Sequence, residues 1–186
     1  MKKRKDPVIA LLLSVLIVLS STFLSAGAKL SRASDKVTDG FYQGIKYDGY
    51  RHRSISSQLE NICGAVSGLM TIAENQGIDT AELSGLNRAL SDSVSAGKDG
   101  ISLIHERYAS VMDALYPMLD ALSGSALTGR DEKGAKDYMV TIMGAEKVIE
   151  ESGYNESVQE FIDGMSGFPT GFFLRVTGTR LPEKFA

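Results

Sequence analysis

SISSQLENICGAVSGLMTIAENQ, residues 54–76, is the stretch whose reading decides the fold class. Ile55, Leu59, Ile62, Val66, Leu69 and Ala73 recur at steps of three and four. At 3.6 residues per turn that spacing lays them along one face of a helix, whereas a half-buried strand would alternate at every second position. The stretch therefore predicts an amphipathic helix with one apolar stripe turned to a core.

The same period continues on the C-terminal side. Leu83, Leu86, Leu90 and Val94 form a second stripe, opened by Asp79-Thr80 as an N-cap and closed by the turn Gly97-Lys98-Asp99-Gly100. A third carries Ile101, Ile104, Tyr108, Val111, Leu115, Met118 and Leu122, with Pro117 expected to kink it by removing one backbone donor. The last and longest runs through Ala135, Tyr138, Ile142, Ala145 and Ile149, then Val158, Phe161, Met165 and Phe168, as one helix with a weak point at Ser152-Gly153. On the N-terminal side, residues 30–45 predict a short separate helix carrying Ala33, Val37 and Phe41, broken by Gly44 and Gly49. No run alternates with period two, so no sheet is expected. The expected fold is all-α: an up-and-down antiparallel four-helix-type bundle, preceded by one N-terminal transmembrane or signal-anchor helix. Gly64, Gly68, Gly144 and Gly164 fall inside these helices, and the expectation for Gly64 and Gly68 is close packing within the bundle.

Length and composition agree with one such domain. The chain has 186 residues, 43% of them hydrophobic, and no Trp, so a core is expected to be built from Leu, Ile, Val, Ala and Met, and the composition argues against disorder throughout. Its single Cys rules out a disulfide framework and a cysteine-based zinc site. The acidic pI near 5.4 argues against nucleic acid as a partner.

Lys2, Lys3, Arg4 and Lys5 precede a stretch, 8–28, with no charged residue. At 1.5 Å per residue this covers about 30 Å, the thickness of a bilayer core. Two readings fit it. An uncleaved anchor uses the whole length, and a cleaved signal peptide uses the shorter aliphatic part and the small-residue site Ala26-Gly27-Ala28 before Lys29. In both, the basic cluster keeps the N-terminus cytoplasmic and sends the rest across the membrane. The division is 1–28 for the basic end and anchor and 29–186 for an extracytoplasmic helical domain, with an apolar tail over 168–186. Setting aside the four leading cations and Asp6 doubles the acidic excess from three to six, so anionic headgroups repel the exported part on average.

The chemistry-bearing residues do not assemble into a known motif. His52 and His105 have no ligand partner at metal spacing, and the positions three before them are Gly49 and Ser102 rather than the Glu of a di-iron helix. Both are expected at the surface or at caps. Cys63 lies beside Ile62 on the first stripe and reads as a small hydrophobe. Lipoprotein processing would need a Cys where Lys29 stands. No dinucleotide or Walker loop and no nucleophile elbow occur, so no cofactor and no small-molecule substrate is implied. The apolar tail is the place for an interaction: Phe172, Phe173 and Leu174 would dock on a partner or the outer leaflet with Arg175 and Arg180 at the rim, unless the tail folds back to seal the bundle.

One resemblance adds to this. The run Glu150-Glu151-Ser152-Gly153-Tyr154-Asn155-Glu156-Ser157-Val158-Gln159-Glu160-Phe161, followed by Phe168-Pro169, resembles the end of the LemA family of bacterial membrane-associated helical proteins. Tyr154, Asn155, Val158, Phe161, Phe168 and Pro169 fall on the family's motif positions, and residues 57–75 are similar to its earlier helix. The chain departs from the pattern at Ile162, Thr179 and Lys184. The resemblance implies a helical bundle on an uncleaved N-terminal anchor, with no catalytic residues. The expected function is a non-enzymatic envelope scaffold that binds a protein partner or itself. The rival is an exported enzyme or redox protein using Cys63 or surface carboxylates such as Glu150 and Glu151.

Overall fold

The structure, a computed structural model, describes residues 7–47, 49–167 and 169–186, with side chains described except at 7–12, 19, 47, 50 and 51. The basic cluster Lys2 to Lys5 and the motif residue Phe168 lie outside the described residues. The helices are α1 (Pro7–Gln43), α2 (Ile55–Asn75), α3 (Ala81–Ala96), α4 (Ile101–Ser123), α5 (Gly129–Glu150), α6 (Tyr154–Met165) and α7 (Thr170–Thr177). An antiparallel ladder of two residues on each side, β1 (Lys46–Tyr47) with β2 (Tyr50–Arg51), links α1 to α2 in the register Lys46 with Arg51 and Tyr47 with Tyr50. It was not expected, because two residues are too short to show an alternating pattern. Gly49, at φ +81°, supplies its left-handed turn residue.

The chain forms two compact units. One comprises the residues up to Val37 with Gln159–Pro182, the other Thr38–Val158 with Glu183–Ala186.

In the larger unit α2 is central and packs against α3, α4 and α5, while α3 also packs on α4. Every residue of the predicted α2 stripe, from Ile55 to Ala73, is buried. Its start is fixed by Ser54, whose Oγ accepts the Ser57 N–H at 3.2 Å and satisfies one of the free donors of the first turn. The expected cap at Asp79-Thr80 divides its work: the Asp79 carboxylate accepts the Ala81 N–H at 3.0 Å, and the Thr80 hydroxyl donates to Glu74 at 2.6 Å. The Gly97–Gly100 turn holds because Asp99 accepts from the Ser93 hydroxyl and from Arg107 at 2.8 Å, tying the end of α3 to α4. α4 runs through Pro117 to Ser123 with Pro117 on its exposed side, where the missing N–H leaves a carbonyl to solvent.

Two sequence expectations need correction. The stretch from Ala135 to Met165 is two helices, because the backbone at Gly153 turns to φ +67° and ends the run after α5. Residues 30–45 are not a separate helix: α1 continues unbroken past Ala28 to Gln43. It stops at Gly44, which has φ +76° and no room for a Cβ against the His52 carbonyl.

The interior glycines divide in the same concrete way. A Cβ on Gly68 would strike the Tyr138 ring, so α5 approaches α2 closely there. Gly64 faces open space, against expectation, as do Gly144 and Gly164.

The smaller unit holds α1 up to Val37, the second half of α6, and α7. Phe23 of α1 lies 6.2 Å from the Phe172 ring and 5.2 Å from the Phe173 ring, centroid to centroid. A Cβ on Gly27 would come within 2.9 Å of the Thr177 methyl, and the Ser34 hydroxyl donates to the Arg180 carbonyl at 2.7 Å.

Candidate functional site

Three places concentrate the chemistry of the described residues, and the first is a clamp on the C-terminus in the larger unit. Tyr154, at the start of α6, is buried, and its hydroxyl donates to the Glu183 carbonyl at 2.8 Å. Asn155 pairs with the backbone of Phe185 in both directions: its Nδ2 donates to the Phe185 carbonyl at 2.9 Å and its Oδ1 accepts the Phe185 N–H at 2.8 Å. The Phe185 ring is thereby held among Phe41, His105 and Tyr108, edge-on to His105 at 4.9 Å. Glu183 in turn accepts the Ser102 N–H at 3.1 Å, placing a carboxylate at the N-terminus of α4, where the helix dipole favours it. Burial pushes the Tyr154 phenol well above its ordinary value, with the Glu183 charge adding to the effect. Tyr108 shifts the same way through burial and its 2.8 Å hydrogen bond to Glu146.

The Tyr-Asn pair is thus a lock for the chain end. Of the motif positions, Tyr154 and Val158 are buried, whereas Phe161 is only half-buried. His105, expected at the surface, is half-buried against Phe185. Glu183 and Phe185 as partners of the pair carried no local signal, because the pairing spans about thirty residues of chain.

The second place is the tail in the smaller unit. Phe173 and Leu174 are half-buried, while Phe172 is 50% and Val176 56% exposed, and Arg175 and Arg180 are exposed. Pro169 is exposed at the start of α7. Of the five residues singled out for docking, Phe172 and Phe173 lie against Phe23 of α1, and the Arg180 carbonyl lies against Ser34 further along it.

The third place is a cleft of about 410 Å³ between α2 and α3, lined among others by Glu60, Cys63, Ser67, Asn87, Arg88 and Asp92. Asn87 is buried at 5% exposure; its Nδ2 donates to the Cys63 carbonyl and to Ser67 Oγ, each at 3.0 Å. Its Oδ1 has no partner among the described residues. Asn87 was missed by sequence reading although a signal existed: Leu83, Asn87, Leu90 and Val94 step by four, three and four, so a polar residue sits inside the buried stripe. Burial, reinforced by the Glu60 charge, pushes the Cys63 thiol up to about 11, so at neutral pH it carries its proton. That is the opposite of an activated thiolate. Among the described residues no group of three His, Cys, Asp or Glu side chains converges as metal ligands.

Among the described residues, the part of α1 from Leu13 to Gln43 is long and apolar enough to cross a membrane by length and composition, and little of its most apolar stretch is covered by protein. Compared with known proteins, the chain matches no protein-family model, no curated protein and no solved structure.

Proposed function

We propose that the protein is a LemA-like, single-pass membrane protein whose N-terminus is cytoplasmic and whose up-and-down helical bundle, on the far side of the membrane, is a non-catalytic scaffold for a protein partner or a second copy. The observation that carries the reading is the exposure of α1: Leu16 is 61% and Leu24 76% exposed, with Leu13, Ile17 and Val18 alongside. Leaving a large aliphatic side chain in water rather than in an apolar medium costs about 1.5–3 kcal/mol, so a row of five calls for lipid.

Retention of the anchor rather than its cleavage is supported by the unbroken helix through Ala26-Gly27-Ala28 and by the contact of Gly27 with Thr177. A peptidase would have to unwind that turn and break the contact before cutting. The antiparallel arrangement is supported by the short links of 76–80 and 97–100 between helices that pack on each other. The buried, protonated Cys63 weakens the redox alternative.

The decisive experiment measures the mass and partition of the chain made in bacterial cells. The expected result is the full-length chain in the membrane pellet after alkaline washing, with protease added outside spheroplasts digesting the bundle. A mature chain starting at Lys29 in the soluble fraction would overturn the reading.

A further inference from the structure

We propose that the segment 169–182, which contains α7, is a lipid-binding element that dips into the outer leaflet beside the chain's own span; the proposal rests on the anchor reading above. The register between α7 and α1 carries it. Phe172 and Phe173 meet Phe23, Thr177 meets Gly27, and Arg180 meets Ser34, so the two segments run in the same direction. Between the first two contacts both helices advance four residues, about 6 Å, which keeps them side by side. Beyond the left-handed Gly178 the tail leaves the helix, and the Arg180 carbonyl meets the Ser34 hydroxyl two turns of α1 beyond Gly27.

Depth follows from this register. Phe23 lies six residues before Lys29, the first charge after the span, and so about 9 Å inside it along the helix axis. Interfacial helices bury their apolar face about 5–10 Å below the headgroup boundary. Phe172 would sit at that depth with its ring half exposed, and Val176 one turn above it. Arg175 lies between these levels on a side chain long enough to bring its guanidinium up to the phosphates. Arg180, level with Ser34, is beyond Lys29 and among the headgroups.

Charge selects the occupant. The stretch 169–182 contains two arginines and no acidic residue, in a chain whose exported part is acidic overall. An apolar surface continuous with a membrane span, whose own stretch carries two arginines and no carboxylate, fits the phosphate and upper acyl region of a bilayer better than another acidic copy of this chain.

The chain has no Trp, so one introduced Trp reports alone. The full chain is reconstituted in phosphatidylcholine–phosphatidylglycerol nanodiscs as Phe172→Trp, with Val176→Trp as a second reporter at an exposed position. Leu16→Trp marks the span, and Tyr116→Trp, exposed on α4, marks the bundle. Emission from Phe172→Trp and Val176→Trp should shift to shorter wavelength and be quenched most by lipids brominated near the headgroup end of the acyl chain. Leu16→Trp should be quenched most by deep bromine, and Tyr116→Trp by aqueous iodide only. If Leu16→Trp is deep while both α7 reporters respond only to iodide, the anchor stands and the lipid-binding element fails. If the α7 reporters are shielded from bromine and iodide alike, protein covers them and the proposal is again overturned. If Leu16→Trp is not quenched by lipid, the anchor reading falls and takes this one with it.

Discussion

α1 and α2 are both rich in aliphatic residues, yet they solve opposite problems. In α2 the apolar residues recur at helical steps, with Glu60, Asn61, Ser67, Thr71 and Glu74 on the other side, and the whole stripe is buried by α3, α4 and α5. In the first half of α1 the apolar residues go all the way round, and those described between Leu13 and Val18 are exposed. Pattern rather than apolar content therefore separates a helix that protein covers on one face from one long and apolar enough to cross a membrane. An amphipathic helix buries one face and leaves its polar side to water, while a helix apolar on every side has no face that water can satisfy.

The contrast breaks or holds on substitutions in the two helices. Leu59→Ala, at a fully buried position of α2, should lower the unfolding free energy of the solubilised protein by about 2–5 kcal/mol while leaving membrane retention intact. Urea titration and fractionation read the two effects separately. Leu16→Arg should do the reverse, opposing insertion by about 2.5–3.5 kcal/mol at the middle of the span without moving the urea midpoint of the bundle. If either variant produces the other's phenotype, the assignment of solvents to the two helices is wrong.

The buried thiol sharpens the same comparison through pH. Its folded value, about 11, lies above the ordinary 9.0, so between these values the native state keeps a proton that the unfolded state has lost. Stability from this group is complete below pH 9, falls as pH rises, and is gone above about 11. The loss is on the order of 2 kcal/mol, and Cys63→Ala should flatten that part of the stability–pH curve. Above pH 10 the raised phenols of Tyr108 and Tyr154 should add to the loss in the same direction, since their protons too are held by the native state.

The C-terminal clamp predicts a smaller effect. Tyr154→Phe removes the donor to the Glu183 carbonyl and should cost about 1 kcal/mol. It should also speed hydrogen exchange at the Phe185 amide, which Asn155 holds; unchanged exchange there would mean that Asn155 secures the chain end alone. Smallest of all, Gly144→Ala should stabilise α5 by about 0.5–1 kcal/mol, because a Cβ there meets nothing within 4 Å. Gly68→Ala should destabilise by pushing the Tyr138 ring away, so the two alanines give opposite shifts in melting temperature.

Sequence alone determined the local features of this protein. The helical period, the Asp79-Thr80 cap, the Gly97–Gly100 turn and the charge-free stretch before Lys29 each follow from interactions among residues a few positions apart, whose outcome the spacing encodes. It also marked Tyr154, Asn155 and the Phe172–Arg175 segment as special without saying what they meet. Tertiary structure decided the rest. The return of Phe185 between Phe41 and His105, the Glu183 carboxylate at the start of α4, the orphaned Oδ1 of Asn87 and the alignment of α7 with α1 join residues far apart in the chain. Such contacts depend on which apolar faces compete for one another once the helices exist. No periodicity within a single helix records that choice, because the same stripe would satisfy any partner of matching shape.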